Sequence, residues 1–190
     1  MDQVILSSNI DNFDRYDHFK KQMDLIQHFY SIKYLMEEVR ITFKKNFSIN
    51  IDGLAFEAKE GEINSIPRWL AQILEKNNFI EIQDMNTLIS ISRSLNRERI
   101  SKPHDLSGID PDFYIRANDF IKRLKKKEKE SILVSLNSFV ASRTAKIVKL
   151  AAASPLSVDL EKKLSAEEKE LYNFIYKSSS EFKQTAVKKP

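Results

Sequence analysis

The stretch at 60–82, EGEINSIPRWLAQILEKNNFIEI, decides how the first half of the chain is read. Gly61 suits a tight turn because glycine tolerates positive φ. Pro67 predicts the first turn of a helix, where its missing N–H costs nothing. Trp69, Leu70, Ile73 and Leu74 then recur at helical spacing as one broad apolar face. Asn77 and Asn78 read as the stop, and Phe79, Ile80 and Ile82 as a strand returning to the same small core. Trp69 is expected in that core, since tryptophan is highly buried on average. The alternative is a partner-facing anchor, because tryptophan is over-represented among interface hot spots.

Working upstream, Val39, Ile41 and Phe43 alternate with Arg40, Thr42 and Lys44, which predicts a half-buried strand. Phe47, Ile49 and Ile51 repeat the pattern, Asp52-Gly53 is a turn signal, and Leu54, Phe56 and Ala58 suggest a third strand. Residues 39–82 thus read as a compact β-rich module. Below about 70–80 residues a core alone supplies about 3–5 kcal/mol, so docking on something else is expected. Further back, Phe13, Tyr16, Phe19, Met23, Ile26 and Phe29/Tyr30 step by threes and fours, predicting an amphipathic helix over 13–32. A second short helix is expected from Ser31 to Glu38, with Ile32, Leu35 and Met36 inward. Residues 1–12 are polar and mixed, and 1–22 are expected to be peripheral.

Working downstream, Met85, Leu88, Ile89 and Leu95 return to helical spacing over 85–100. The segment SKPHDLSGIDP at 101–111 is the strongest linker signal in the chain. Asp110-Pro111 then reads as a helix start, with Asp as N-cap and Pro at the first helical position. Phe113, Ala117, Phe120, Ile121 and Leu124 form an inward face. The run KKKEKE at 125–130 reads as solvated helix or a tight connection. A long helix is expected from about residue 130 to 153. Its apolar stripe comprises Leu133, Leu136, Phe139/Val140, Ile147 and Leu150/Ala151, with Arg143 and Lys146 flanking it. Ser154-Pro155 ends it. A short helix over 158–164 and a final helix follow, the latter opened by an S-x-x-E capping box at Ser165 and Glu168. Leu171, Phe174, Ile175 and Phe182 are its expected buried side.

The fold class is therefore α+β: a small β-rich N-terminal module followed by a helical-bundle module. The division reads as an N-terminal extension (1–29), a β-rich domain (30–83), a connecting helix and linker (84–110), a helical domain (111–182) and a tail (183–190). Each module is small for its surface, which predicts assembly into something larger.

The 190 residues carry a formal net charge of +4, too modest for a chain devoted to DNA phosphates. There is no cysteine, hence no disulfide and no thiolate chemistry. Only three glycines occur, which argues against a glycine-rich phosphate cradle. No apolar run approaches the roughly 20 residues that cross a bilayer, and no signal peptide is expected.

Several segments in order carry a resemblance. These are YSIKYLMEEVRITFKKNFSINIDGL at 30–54, PRWLA at 67–71, DPDFY at 110–114, FVASRTAKI at 139–147 and LSAEEKELYNFIY at 164–176. Together they resemble a GINS subunit of the type whose small B domain precedes its helical A domain, as in one of the two archaeal types. The match covers roughly 30–182, and residues 1–22 lie outside it. The resemblance implies a non-catalytic scaffold for DNA replication, with no cofactor. Implied partners are a second GINS subunit type in a hetero-tetramer, the MCM helicase, a RecJ-like/Cdc-type protein and, in some archaea, primase. It implies no membrane and only indirect or weak DNA contact. It also implies a replisome in the archaeal cytoplasm, or in a eukaryotic nucleus. Trp69 and Leu70, with Phe113, Tyr114, Phe120, Phe139, Arg143, Ile147, Leu150, Leu171 and Phe174, become candidates for core or subunit interface.

The residues themselves offer little chemistry. His18, His28 and His104 are far apart with no ligand spacing. Asp110, Asp112 and Asp119 are close in sequence but read as caps and first-turn acids complementing a helix dipole. The rival function is nucleic-acid binding. Lys122, Arg123, Lys125, Lys126 and Lys127 form a candidate basic patch, and Lys44 and Lys45 lie near Phe43 and Phe47, which could stack bases. Glu128 and Glu130 interrupt that run, and a charge run is usually a solvated helix face.

Overall fold

The computed structural model describes residues 2–51 and 54–187, with side chains described for 15–50 and 56–187. The Asp52-Gly53 turn, the side chain of Phe13 and the last three residues of the tail lie outside them. The fold is α+β, with small antiparallel sheets in the N-terminal part and helices thereafter.

The chain opens on α1 (Asp2–Met36), a single helix where the sequence predicts two. No proline or glycine interrupts 2–36, so nothing forces a break between the two apolar patterns. Residues 15–22 are not peripheral. Phe19 meets Phe174 with ring centroids 4.6 Å apart, and Arg15 pairs with Glu181 near the far end of the chain. The helix gives way at Glu37, where the β-branched alternation of Val39 and Ile41 takes over.

β1 (Glu38–Phe43) is the centre of a three-stranded antiparallel sheet ordered β4-β1-β5. β2 (Phe47–Ile51) and β3 (Leu54–Ala58) pair as a separate antiparallel ribbon, with Phe47 opposite Ala58 and Ile49 opposite Phe56. β4 (Ile63–Pro67) is a strand that the sequence does not announce, because Asn64 and Ser65 spoil its pattern. Its register on β1 sets Val39 against Ile66 and Glu38 against Pro67. Pro67 is tolerated there because β4 is an edge strand. It then serves as N-cap of α2 (Arg68–Lys76), one residue before the expected helical position. Gly61 turns the chain at φ +80, and Asn78 ends α2 at φ 58, a left-handed conformation that Asn accepts more readily than most residues. β5 (Ile80–Ile82) completes the sheet. Val39, Ile41, Phe43, Ala58, Ala71, Ile80 and Ile82 form the core of this module.

α3 (Met85–Ile100), α4 (Phe113–Arg123) and α5 (Lys126–Ala153) pack around a second core of Ile91, Ile109, Phe113, Ala117, Phe120, Ile121, Leu136 and Phe139. α5 with α6 (Val158–Glu161) and α7 (Ala166–Ala186) surrounds a third, of Leu106, Ile147, Ala151, Leu164 and Tyr172. The 101–111 segment, read as a linker, has no regular structure but is packed in place: Leu106 and Ile109 are both buried in these cores. α4 starts at Phe113, so Asp110 is not its N-cap, and the preceding Asp112 turns its carboxylate to Arg116 instead of capping. Phe182 is exposed rather than buried, and α7 extends helically to Ala186.

Candidate functional site

Two polar clusters organise the molecule. The first lies around Arg143, whose side chain has 0% of its surface exposed. The sequence suggests a flanking cation, but Arg143 lies one turn from both Phe139 and Ile147, hence on their face. All five of its N–H donors are used. Nε and Nη2 donate to the two oxygens of Glu168, both at 2.7 Å. Nη1 donates to Glu98 Oε2 and the Ser107 carbonyl, both at 2.8 Å, and Nη2 also to the Lys163 carbonyl at 3.0 Å. Such a bidentate fork is specific to arginine.

Its neighbours are equally satisfied. Glu98 accepts from Lys146 Nζ at 2.6 Å and from the Ser107 N–H and hydroxyl. Lys146 also donates to the Ser101 hydroxyl at 2.6 Å. Glu168 accepts from the Tyr114 hydroxyl at 2.7 Å. It also forms both arms of the capping box with Ser165, as the sequence predicts. Two cations and two carboxylates thus cancel, which is what makes burial of four charges tolerable. Burial opposes the charge on Glu98, but hydrogen bonds from Lys146 and Ser107 and the Arg143 charge outweigh it and hold the carboxyl below its usual range. Burial, with the Glu168 charge beside it, pushes the Tyr114 hydroxyl up. Glu167, next door and buried, is raised by desolvation.

The second cluster joins the β-rich module to the helices. Tyr34 of α1 donates to Asp119 of α4 at 2.9 Å, and Gln72 of α2 donates to its other oxygen at 2.7 Å. The Arg68 guanidinium stacks on the Tyr34 ring at 4.2 Å and lies 3.5 Å from Asp84 and 3.9 Å from Asp119. Arg123 pairs with Asp84, with Asp119 at 3.4 Å and with Glu75 at 3.7 Å. Arg116 spans Glu37 and Asp112. This surface is charged and mostly shielded, so it orients the module more than it adds net stability. Burial, then the Asp119 charge, raises the Tyr34 hydroxyl well above its ordinary range.

Neither a protein-family model nor a curated protein matches the chain.

Most sequence-selected residues serve the chain's own cores. Phe113, Phe120, Phe139 and Ile147 are buried; Tyr114, Leu150 and Leu171 are half-buried against these cores, and Phe174 is half-buried against Phe19 of α1. Trp69 departs from expectation: it is 43% exposed, because α2 buries Arg68 and Ala71 towards its neighbours and leaves Trp69 and Ile73 outside. Leu70 is half-buried. Of the basic patch, Lys122 and Lys125–Lys127 are exposed, whereas Arg123 is turned to the acids just described. Phe43 is buried, Lys45 sits 4.0 Å over the Phe79 ring, and Lys44 faces Glu81, so these do not make an open stacking platform.

Asp110, Asp112 and Asp119 do not converge. Asp112 and Asp119 are committed to different arginines, and no group of His, Asp and Glu among the described residues could hold a metal ion. Among the described residues, no helix is long and apolar enough to cross a membrane. Sequence reasoning missed Glu98, Tyr34 and Tyr172. Glu98 sits in the run RERI, which reads as a solvated helix end; its only signal was a position seven residues after buried Ile91, on the same face.

Proposed function

We propose that this chain is a non-catalytic structural subunit of the GINS type, with its strand-rich domain first, scaffolding the MCM helicase and its partners in DNA replication. The observation that carries the reading is the Arg143–Glu168 fork. It ties together two of the segments on which the resemblance rests, FVASRTAKI and LSAEEKELYNFIY. Those two segments therefore pack as one unit. The order of a β-rich module followed by helices agrees with the type named. Exposed Trp69, Ile73, Met85 and Ile89 supply apolar surface for a sister subunit, in the hetero-tetramer that the resemblance implies. The MCM ring, a RecJ-like/Cdc-type protein and primase would be reached through that assembly, in the archaeal cytoplasm or a eukaryotic nucleus.

The test is affinity purification of the chain from its own cells, with the bound chains identified. A second GINS-like subunit or a helicase ring is the expected result. A soluble chain with no companions would overturn the reading. Steep loss of DNA affinity with salt, removed by neutralising Lys122 and Lys125–Lys127 together, would instead favour direct nucleic-acid binding.

A further inference from the structure

α1 carries two apolar stripes, and the described structure covers only one. The covered stripe includes Phe19, Ile26, Tyr30 and Tyr34, against α7, α2 and α4. The other is Leu25, Phe29, Ile32 and Met36, exposed to 69%, 63%, 55% and 64%. These four follow one another by steps of four, three and four. At 100° per residue they fall within a strip about 60° wide. That is the two-per-heptad seam of a helix that pairs with one other helix.

We propose that this seam docks an amphipathic helix of another polypeptide, one whose own apolar stripe is flanked by glutamate or aspartate. The flanks of the seam argue for that charge. Lys21 and His28 border it on one side and Lys33 on the other. Neither lysine makes an ion pair with any described residue. The acids of this part of the helix, Asp17 and Asp24, lie farther round. A second copy of the chain would bring cationic flanks to a seam that has no acid beside it to answer them. A lipid surface needs a broad apolar face, and a strip one residue-row wide does not supply it. An acid-flanked helix satisfies both the narrow apolar row and the charged borders. The seam lies partly in the segment outside the GINS resemblance and is tested without any GINS partner, so the two readings stand or fall separately.

The probe is a fluorescein-labelled peptide of about three heptads, leucine along its seam and glutamate along both flanks, titrated with the full chain and followed by anisotropy. Saturable binding is expected, weakened about tenfold when the flanking glutamates become lysines, and weakened by salt. It should vanish for the double variant Leu25→Ser, Phe29→Ser, whose circular dichroism should match the parent and whose melting temperature should fall only slightly, because both side chains are largely exposed and Phe29 gives up only an edge contact with Tyr30. The proposal fails if the glutamate peptide does not bind, if both peptides bind alike, or if the double variant binds as the parent does. It fails equally if sedimentation finds a dimer, or phosphatidylserine vesicles capture the chain, in either case only while the seam is intact.

Discussion

At the scale of single residues, Arg143 is the most heavily used side chain. Removing it leaves Glu98 and Glu168 buried and uncompensated. Arg143→Met should therefore cost about 3–5 kcal/mol, read from urea unfolding. Arg143→Lys should recover only part of this, since one ammonium cannot serve two carboxylates and two carbonyls with three donors. Two glutamates carry opposite pH signatures. Glu98 has a lowered folded pKa, so its stabilisation is complete above the ordinary glutamate range and drains away as pH falls towards the lower folded value. Glu167 has a raised folded pKa, chiefly from burial, so stability is withheld at neutral pH and returns as pH falls through that raised value. Glu167→Gln should hence melt higher than the parent at pH 7.5, with the advantage shrinking towards pH 4; equal melting at both pH values would contradict this. Sequence periodicity placed Arg143 and Lys146 beside the apolar stripe, whereas both are buried. What hid their burial was the expectation that charges flank a stripe, which holds only when no carboxylate waits inside. Trp69 misled in the other direction: its size suggested core, but Ala71 and the stem of Arg68 fill the space beneath α2.

At the scale of elements, the capping box of α7 is a local feature legible from four residues, and it is also part of the buried network. Ser165→Ala removes the oxygen that accepts from the Glu168 N–H and a donor to Glu167. The expected cost is about 0.5–2 kcal/mol, which a thermal melt resolves as a shift of a few degrees. Phe139→Asp places a charge in the core shared by α3, α4 and α5, and should abolish the cooperative melt altogether. Four of the five described strands, and the helices α5 and α7, were readable because their periods are clean, whereas the longest helix, α1, was split in two. The fourth strand was not, because Asn64 and Ser65 interrupt its apolar alternation and its pairing with β1 is a matter of tertiary register. The 101–111 segment was misread for a related reason. Proline and glycine describe backbone punctuation, not whether Leu106 finds a pocket.

At the scale of the whole molecule, the β-rich module is held to the helices chiefly by the cluster around Asp119. Asp119→Ala removes the acceptor of Tyr34 and Gln72 and one of the acids facing Arg68 and Arg123. The expected outcome is earlier proteolytic cleavage between the two halves and a melt that separates into two steps, while Asp110→Ala, exposed and outside the cluster, leaves both unchanged. That docking was invisible in the sequence. Its members are spread from Tyr34 to Arg123, and no local pattern joins them. The sequence led to an expectation that each small module leans on something; within this chain they lean on each other.

The Arg143 cluster also bears on how the protein is made. Glu98 leaves the ribosome about fifty residues before Lys146 and about seventy before the Glu168 capping turn. Until then Glu98 lacks the two cations that hold it in the fold, and the partners of Leu106 have not yet been translated. The strand-rich half can take shape early, but Glu98 of α3 meets Arg143 and Lys146 only once α5 has followed it. The ionic cluster therefore closes only once Glu168 has followed, and a polypeptide stopped short of residue 168 leaves the Arg143 fork without its carboxylate.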